Sequence, residues 1–143
     1  MSNRKIGNGF EQEFAEILSR HGYWVHIIAQ RSEGQPADII AVKNGRAYLI
    51  DCKVCSTKRG FDLSRIEENQ LFAMRLWSKC GNGSAWFAIK TDDGIFMVDF
   101  DQLYLCGLSQ SRLTNDDIAL YGTPLGEEEN AKHDDWEWLN GNS

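Results

Sequence analysis

Residues 36 to 54, PADIIAVKNGRAYLIDCKV, constrain the fold of this chain more than any other stretch. Two apolar runs meet at Asn44-Gly45, a dipeptide favoured in two-residue turns whose central residues both take positive φ. A turn there pairs Lys43 with Arg46 and, counted back along both strands, sets Asp38 opposite Asp51. Side chains alternate along a strand, so Ile40, Val42, Ala47 and Leu49 share the face of the two aspartates, and Lys53 reaches the same place from two residues further on. Ile39, Ala41, Tyr48, Ile50, Cys52 and Val54 form the other face. With both faces apolar, this ribbon belongs inside a sheet that is covered on both sides.

The charges are then in an awkward place. Opposed Cβ atoms lie about 4.5 to 5.5 Å apart, and two carboxylates at that distance repel unless a cation joins them. Desolvation at the rim of a core adds to the cost. Two arrangements relieve it. A divalent ion suits hard carboxylate oxygens, two of which with waters make a partial Mg²⁺ or Mn²⁺ shell. Alternatively, Lys53 neutralises one aspartate as a structural ion pair.

The flanking sequence reads as alternating helices and strands. Phe10, Phe14, Ile17 and Leu18 recur on one helical face, Gly22 stands where that helix ends, and Tyr23 to Ile28 follows as a strand. Glu11 lies beside the apolar stripe, whereas Glu13 and Glu16 lie further toward solvent. Polar loops run from Ala29 to Gln35 and from Ser56 to Leu63. Ser64 and Glu67 have the form of a capping box, which predicts a helix from about Arg65 to Lys79 with Ile66, Leu71, Met74 and Trp77 inward. Ser84 to Lys90 and Ile95 to Phe100 flank Asp92-Asp93-Gly94 as a second hairpin. The order is α-β-β-β-α-β-β.

At 143 residues the chain suits a single domain. We divide it into a core of residues 1–105, an extension of 106–121 and an acidic tail of 122–143, expected to be mobile and carrying Trp136 and Trp138. The tail could contact this protein or another. Residues 1–90 hold 13 Lys/Arg and 9 Asp/Glu, whereas residues 91–143 hold 2 and 12, so the overall charge of −6 comes from the C-terminal part. A mildly basic core leaves a nucleic-acid partner open despite the acidic pI. No apolar run is long enough for a membrane span, and no export signal is evident. We therefore expect a cytoplasmic protein whose cysteines remain thiols. Cys52 and Cys55 form a lone CxxC without a second pair or a histidine pair at zinc spacing, so packed thiols are the simpler reading.

Glu11 on the first helix, Pro36-Ala37-Asp38 and Asp51-Cys52-Lys53 together resemble the PD-(D/E)xK nuclease superfamily. Ala37 separates Pro from Asp, and Asp stands at 51 where Glu is commoner. Within that superfamily the chain is most similar to Holliday-junction resolvases of the archaeal and RecU types. Gly7-Asn8-Gly9-Phe10-Glu11 resembles their entry to the catalytic-Glu helix, Arg31-Ser32 their loop ahead of the metal Asp, and Asn69-Gln70 a Gln-containing segment. The likeness spans roughly residues 4 to 105. It implies an α/β restriction-endonuclease-like core, with a central mixed sheet flanked by helices. It also implies Mg²⁺ (or Mn²⁺) held by Asp38, Asp51, the backbone carbonyl of Cys52 and Glu11, with Lys53 beside the attacking water. Arg4, Lys5, Arg31, Lys58 and Arg59, with Ser32 and Gln70, would contact DNA. The substrate would be branched DNA, cut by a homodimer to 5′-phosphate and 3′-hydroxyl ends in recombination or repair. Nicking, flap-cutting or restriction-like enzymes, and a non-catalytic DNA-binding relative, are the alternatives.

Overall fold

A computed structural model describes residues 3–32, 34–55 and 59–125, the side chains of 3–8 excepted. Helix α1 (Asn3–Arg20) starts ahead of the Gly7-Gly9 segment, which is therefore helical rather than a loop entry. Its stripe of Phe10, Phe14, Ile17 and Leu18 is buried. Gly22 ends it at φ 88°. The Gly22 N–H bonds Ser19 O at 3.1 Å and the Tyr23 N–H bonds Leu18 O at 3.1 Å, a Schellman closure that needs the left-handed residue.

Strands β1 (Trp24–Ile27), β2 (Ile39–Lys43) and β3 (Arg46–Val54) form an antiparallel meander. The turn between β2 and β3 has Asn44 at φ 54° and Gly45 at φ 77°, and the register runs from Lys43↔Arg46 to Ile39↔Ile50 as the dipeptide requires. A short β4 (Phe61–Asp62) leads into helix α2 (Glu68–Trp77), and β5 (Trp86–Thr91) then pairs parallel to β3. Strand β6 (Gly94–Asp99) returns antiparallel to β5. Helix α3 (Phe100–Gly107), β7 (Arg112–Leu113), helix α4 (Asn115–Tyr121) and β8 (Thr123–Pro124) complete the described chain. The main sheet has the order β1-β2-β3-β5-β6-β8, while β4 and β7 pair separately. This is the mixed sheet between helices that the resemblance implies.

The sheet divides the core into two layers. Phe10, Phe14 and Leu18 of α1 meet Ile39, Ala41, Tyr48, Ile50 and Cys52 on one face. On the other face Leu49, Phe87, Ile89 and Val98 meet Met74, Phe100, Leu103, Leu113 and Ile118. Two helical boundaries differ from expectation. Ser64 sits in a 3₁₀ turn (Leu63–Arg65), Ile66 is extended at φ −87°, ψ 113°, and α2 is capped by Glu67 instead. Arg65 holds that turn down, its Nη1 donating to Val54 O at 2.9 Å while the guanidinium lies over the Phe61 ring. At the other end the α-helix stops at Trp77, and a π turn (Ser78–Asn82) with Gly81 at φ 90° takes the place of its expected last residues.

Beyond Leu105 the chain keeps adding to the fold. Leu113 and Ile118 are fully buried. Thr123 and Pro124, where we placed the start of the acidic tail, pair with Met97 and Phe96. Residues 126–143, with both tail tryptophans, lie outside the described residues. Among the described residues all four cysteines are free thiols, and no helix is long and apolar enough to cross a membrane.

Candidate functional site

The site lies where β2 and β3 part. Their ladder ends at Ile39↔Ile50, and one residue earlier the Asp38 N–H donates to the same Ile50 carbonyl at 3.1 Å. Asp38 and Ile39 thus both face Ile50, as in a bulge, so Asp38 is not set directly across from Asp51 as uniform pairing predicts. Asp38 Oδ2 turns into the fork and accepts the Cys52 N–H at 2.7 Å, while the Asp38 carbonyl accepts the Ile28 N–H at 2.8 Å. The bulge converts a ladder position into a carboxylate fixed by backbone.

Asp51 is 1% exposed. Its Oδ1 accepts Gln70 Nε2 at 2.8 Å. Its Oδ2 lies 3.0 Å from Lys53 Nζ, but at an angle that leaves this buried oxygen without a well-aligned hydrogen bond. Burial first, then the neighbouring Asp38 carboxyl, raise the Asp51 pKa well above the usual carboxylate range, and Lys53 opposes the shift. Glu11 approaches from the α1 layer, beside the Asp38 carboxyl. Its pKa is pushed up to about 7, again by burial and then by Asp38, with Lys53 pulling the other way. The Cys52 thiol between them is raised by burial and by the three carboxylates, which makes it an inert packing group.

Each carboxyl has its own glutamine. Gln70, which we expected at DNA phosphates, is buried, and its amide is occupied: Nε2 on Asp51, Oε1 on the Glu67 N–H at 3.3 Å. Gln35 Nε2 reaches Asp38 Oδ1 at 3.4 Å, and Gln30 Nε2 reaches Glu11 Oε1 at 3.5 Å. Neither Gln30 nor Gln35 was singled out in the sequence. Gln35 lies three residues before Asp38, and that proximity was the only available signal.

A divalent ion fits this arrangement. Asp51 Oδ2 is buried with the poorly aligned Lys53 Nζ beside it, and the carboxyl crowding that raises the Asp51 and Glu11 pKa values is what a divalent ion would relieve. Ile50 turns its backbone groups toward β2, so by alternation Cys52 turns its carbonyl to the same side, where β2 has ended. Among the described residues no three His, Cys, Asp or Glu side chains already stand as an ion cage. The fit therefore rests on Asp38, Asp51 and the Cys52 carbonyl, with Glu11 adjacent.

The remaining candidates sit at the surface. Arg31 and Ser32 are exposed in the loop after β1, and Arg59 is exposed ahead of β4. Arg4 and Lys5 belong to the first turns of α1, but their side chains, like all of Lys58, lie outside the described residues.

A mixed sheet that holds two aspartates and a lysine at a fork between strands, with a glutamate from the first helix, defines a nuclease of the restriction-endonuclease-like class. Comparison with known families agrees: the archaeal Holliday junction resolvase family matches residues 1–111. The chain belongs to that family. The structure also superposes on Archaeoglobus fulgidus Hjc, a Holliday junction resolvase from an archaeal hyperthermophile, with a TM-score of 0.61. That match has 16% identity and covers 82% of this chain and 95% of the other, a likeness of fold. No curated protein matches the chain.

Proposed function

We propose that this protein is a Mg²⁺-dependent endonuclease that cuts four-way DNA junctions as a homodimer, leaving 5′-phosphate and 3′-hydroxyl ends. The observation that carries the reading is the convergence of Asp38, Asp51 and Lys53 on one buried fork, in a chain of the resolvase family. Asp38, Asp51 and the Cys52 carbonyl would hold Mg²⁺, or Mn²⁺ in its place, which polarises a phosphate oxygen and acidifies water when bound. Glu11 completes or orients that shell. Lys53 is placed to stabilise the charge that builds on the phosphate and to orient the attacking water. Gln70 and the Cys52 N–H fix the rotamers of Asp51 and Asp38, so that these carboxylates need not reorganise during reaction.

Arg31, Ser32 and Arg59, with Arg4, Lys5 and Lys58, would contact phosphates and so position DNA without reading bases. Shape would then select the substrate. Symmetric cutting needs two sites and hence a two-fold dimer. Phe72 and Leu76 on the outer side of α2, with Leu105 on α3 and Leu108 just after it, are exposed and form the best candidate contact surface. The Arg75 guanidinium, 4.5 Å from the Tyr104 ring centroid, bridges the two helices there. The acidic residues 126–143 would act as a polyanion that competes with nonspecific duplex. Their removal should tighten duplex binding at low salt, and unchanged affinity would exclude this role.

The decisive test offers four-way junction, flap, single strand and linear duplex in Mg²⁺ to wild type and Asp38→Asn. Junction cutting by wild type alone, with binding kept in both, is the expected result. Equal cutting of linear duplex would replace the resolvase reading by a nicking or restriction-like one. No cutting in either Mg²⁺ or Mn²⁺ would leave a DNA-binding relative without catalysis.

A further inference from the structure

The sheet face that carries Asp51 and Lys53 continues outward to β1. Trp24 pairs with Val42 and His26 with Ile40, so both side chains lie on the face of Leu49 and Asp51, opposite α1. Val25 and Ile27 point the other way, into the α1 layer. Ile28 and Ile40 still pack partly against the core on this side, but Trp24 is 63% exposed and His26 is exposed. The two rings are stacked, with centroids 6.2 Å apart and planes 11° from parallel. A single exposed apolar side chain is ordinary. Here two nearly parallel rings stand together on alternate residues of an edge strand, the imidazole bracing the indole, with on the order of 100 Å² of indole left in water.

We infer that Trp24, with His26 beside it, is a stacking platform for a nucleobase that has left the duplex stack, on the same sheet face as the candidate cleavage site. The inference rests on the DNA-nuclease reading above. Continuity supports it first. Strand β1 runs straight to the site, since Ile28 donates its N–H to the Asp38 carbonyl at 2.8 Å. Four residues of strand separate Trp24 from Ile28, about 13 Å. That is a span of about four nucleotides at 3.4 Å each. One DNA strand could therefore touch both places.

Chemistry points the same way. Aromatic planes accept any base, because every base has a π-face. Bases are free to stack on protein only where the duplex is interrupted, as at a branch point or an unpaired end. Such a platform would favour branched over continuous DNA with no base-edge contact at all.

The test compares wild type, Trp24→Ala and Trp24→Phe for binding to a four-way junction, a single-stranded flap and a matched linear duplex. Fluorescence anisotropy in EDTA at one fixed ionic strength keeps cleavage and salt effects out of the comparison. Trp24→Ala should weaken junction and flap binding about tenfold, with linear duplex changed less than about twofold, and Trp24→Phe should recover most of the loss. A junction carrying 5-iodouracil at the branch should crosslink under ultraviolet light to the peptide that contains Trp24. Equal weakening on all three DNAs, or none, would overturn the platform, as would a shift in sedimentation of Trp24→Ala that reveals a protein contact there. Because these readouts need no cutting, an inactive wild type would sink the nuclease reading and still leave the binding comparison to decide this one.

Discussion

Glu11→Gln should stabilise the metal-free protein, by an amount that grows with pH. Burial and the adjacent Asp38 carboxyl raise the Glu11 pKa from 4.5 to about 7. Between those two values the folded chain binds more protons than the unfolded one, so stability falls as pH rises through that window. Below 4.5 both states are protonated and there is no penalty. Above 7 the penalty is complete, and at 1.36 kcal/mol per tenfold change in proton affinity it reaches at most about 3 kcal/mol. Glutamine keeps the shape and the acceptor for Gln30 Nε2 but cannot ionise. In EDTA, urea denaturation should therefore give nearly equal stabilities at pH 4 and a gain for Glu11→Gln of up to about 3 kcal/mol at pH 8. Saturating Mg²⁺ should shrink or reverse that gain, since binding stabilises the wild type at high pH and the variant has one carboxylate fewer. A difference between the proteins that does not depend on pH would trace to packing. A variant that becomes relatively less stable as pH rises would show that Lys53 makes the ionised Glu11 favourable, and the argument would fail.

Lys53→Met should lower the cleavage rate at least about hundredfold, because the group that stabilises developing phosphate charge is gone; junction binding measured alongside should change far less, and a parallel loss of both would indicate a DNA-binding lysine only. Gln70→Ala strands Asp51 Oδ1, for a stability loss of about 1 to 3 kcal/mol. It should also weaken Mn²⁺ binding about 10- to 100-fold by calorimetric titration, whereas unchanged metal affinity would leave Gln70 a purely structural role. Gly60→Ala would drive a Cβ into the Leu113 carbonyl oxygen at φ +95°, so it should cost more than about 2 kcal/mol in thermal or urea melts by prising β4 from β7. A variant as stable as wild type would mean that this small sheet contributes little.

The hairpin was legible because two independent signals coincide in it. Asn44-Gly45 sets the register locally, and the alternation of Ile39, Ala41, Tyr48 and Ile50 sets the face, so each checks the other. What escaped was the last step of the ladder. Whether Asp38 pairs across from Asp51 or shares Ile50 with Ile39 depends on where β1 takes the Asp38 carbonyl, and β1 is ten residues upstream. The start of α2 failed for a different reason. Ser64…Glu67 and Glu67…Gln70 both have capping spacing, and the choice falls to burial of Phe61, Leu63 and Ile66, which pulls the chain into an extended step before the helix can begin. Strands β4, β7 and β8 contain two residues each, too few for any period, and Phe61 meets Leu113 only after α2, β5, β6 and α3 have intervened. Gln30 and Gln35 lie in a polar loop, where nothing in the pattern separates a residue that faces water from one that faces a carboxylate.

The fork also explains why these particular groups can meet at all. A continuous ladder would bury Asp38 and Asp51 on one face and keep Glu11, which comes from α1, on the other. By ending β2 at Ile39 while β3 continues to Val54, the fold opens a gap through which the α1 layer and the α2 layer both reach the same carboxyls. Glu11 enters from one side and Gln70 from the other. Backbone groups exposed by the missing strand are not left unpaired: Asp38 takes the Cys52 N–H. The Cys52 carbonyl beside it cannot be met by an ionised carboxylate, which has no proton to donate. That gathers two carboxylates and a carbonyl in one buried place, with Lys53 Nζ 3.0 Å from Asp51 Oδ2 beside them, an arrangement that a further cation would stabilise. The ionised, metal-free site should therefore be under electrostatic strain, and the pH dependence of Glu11→Gln measures that strain directly.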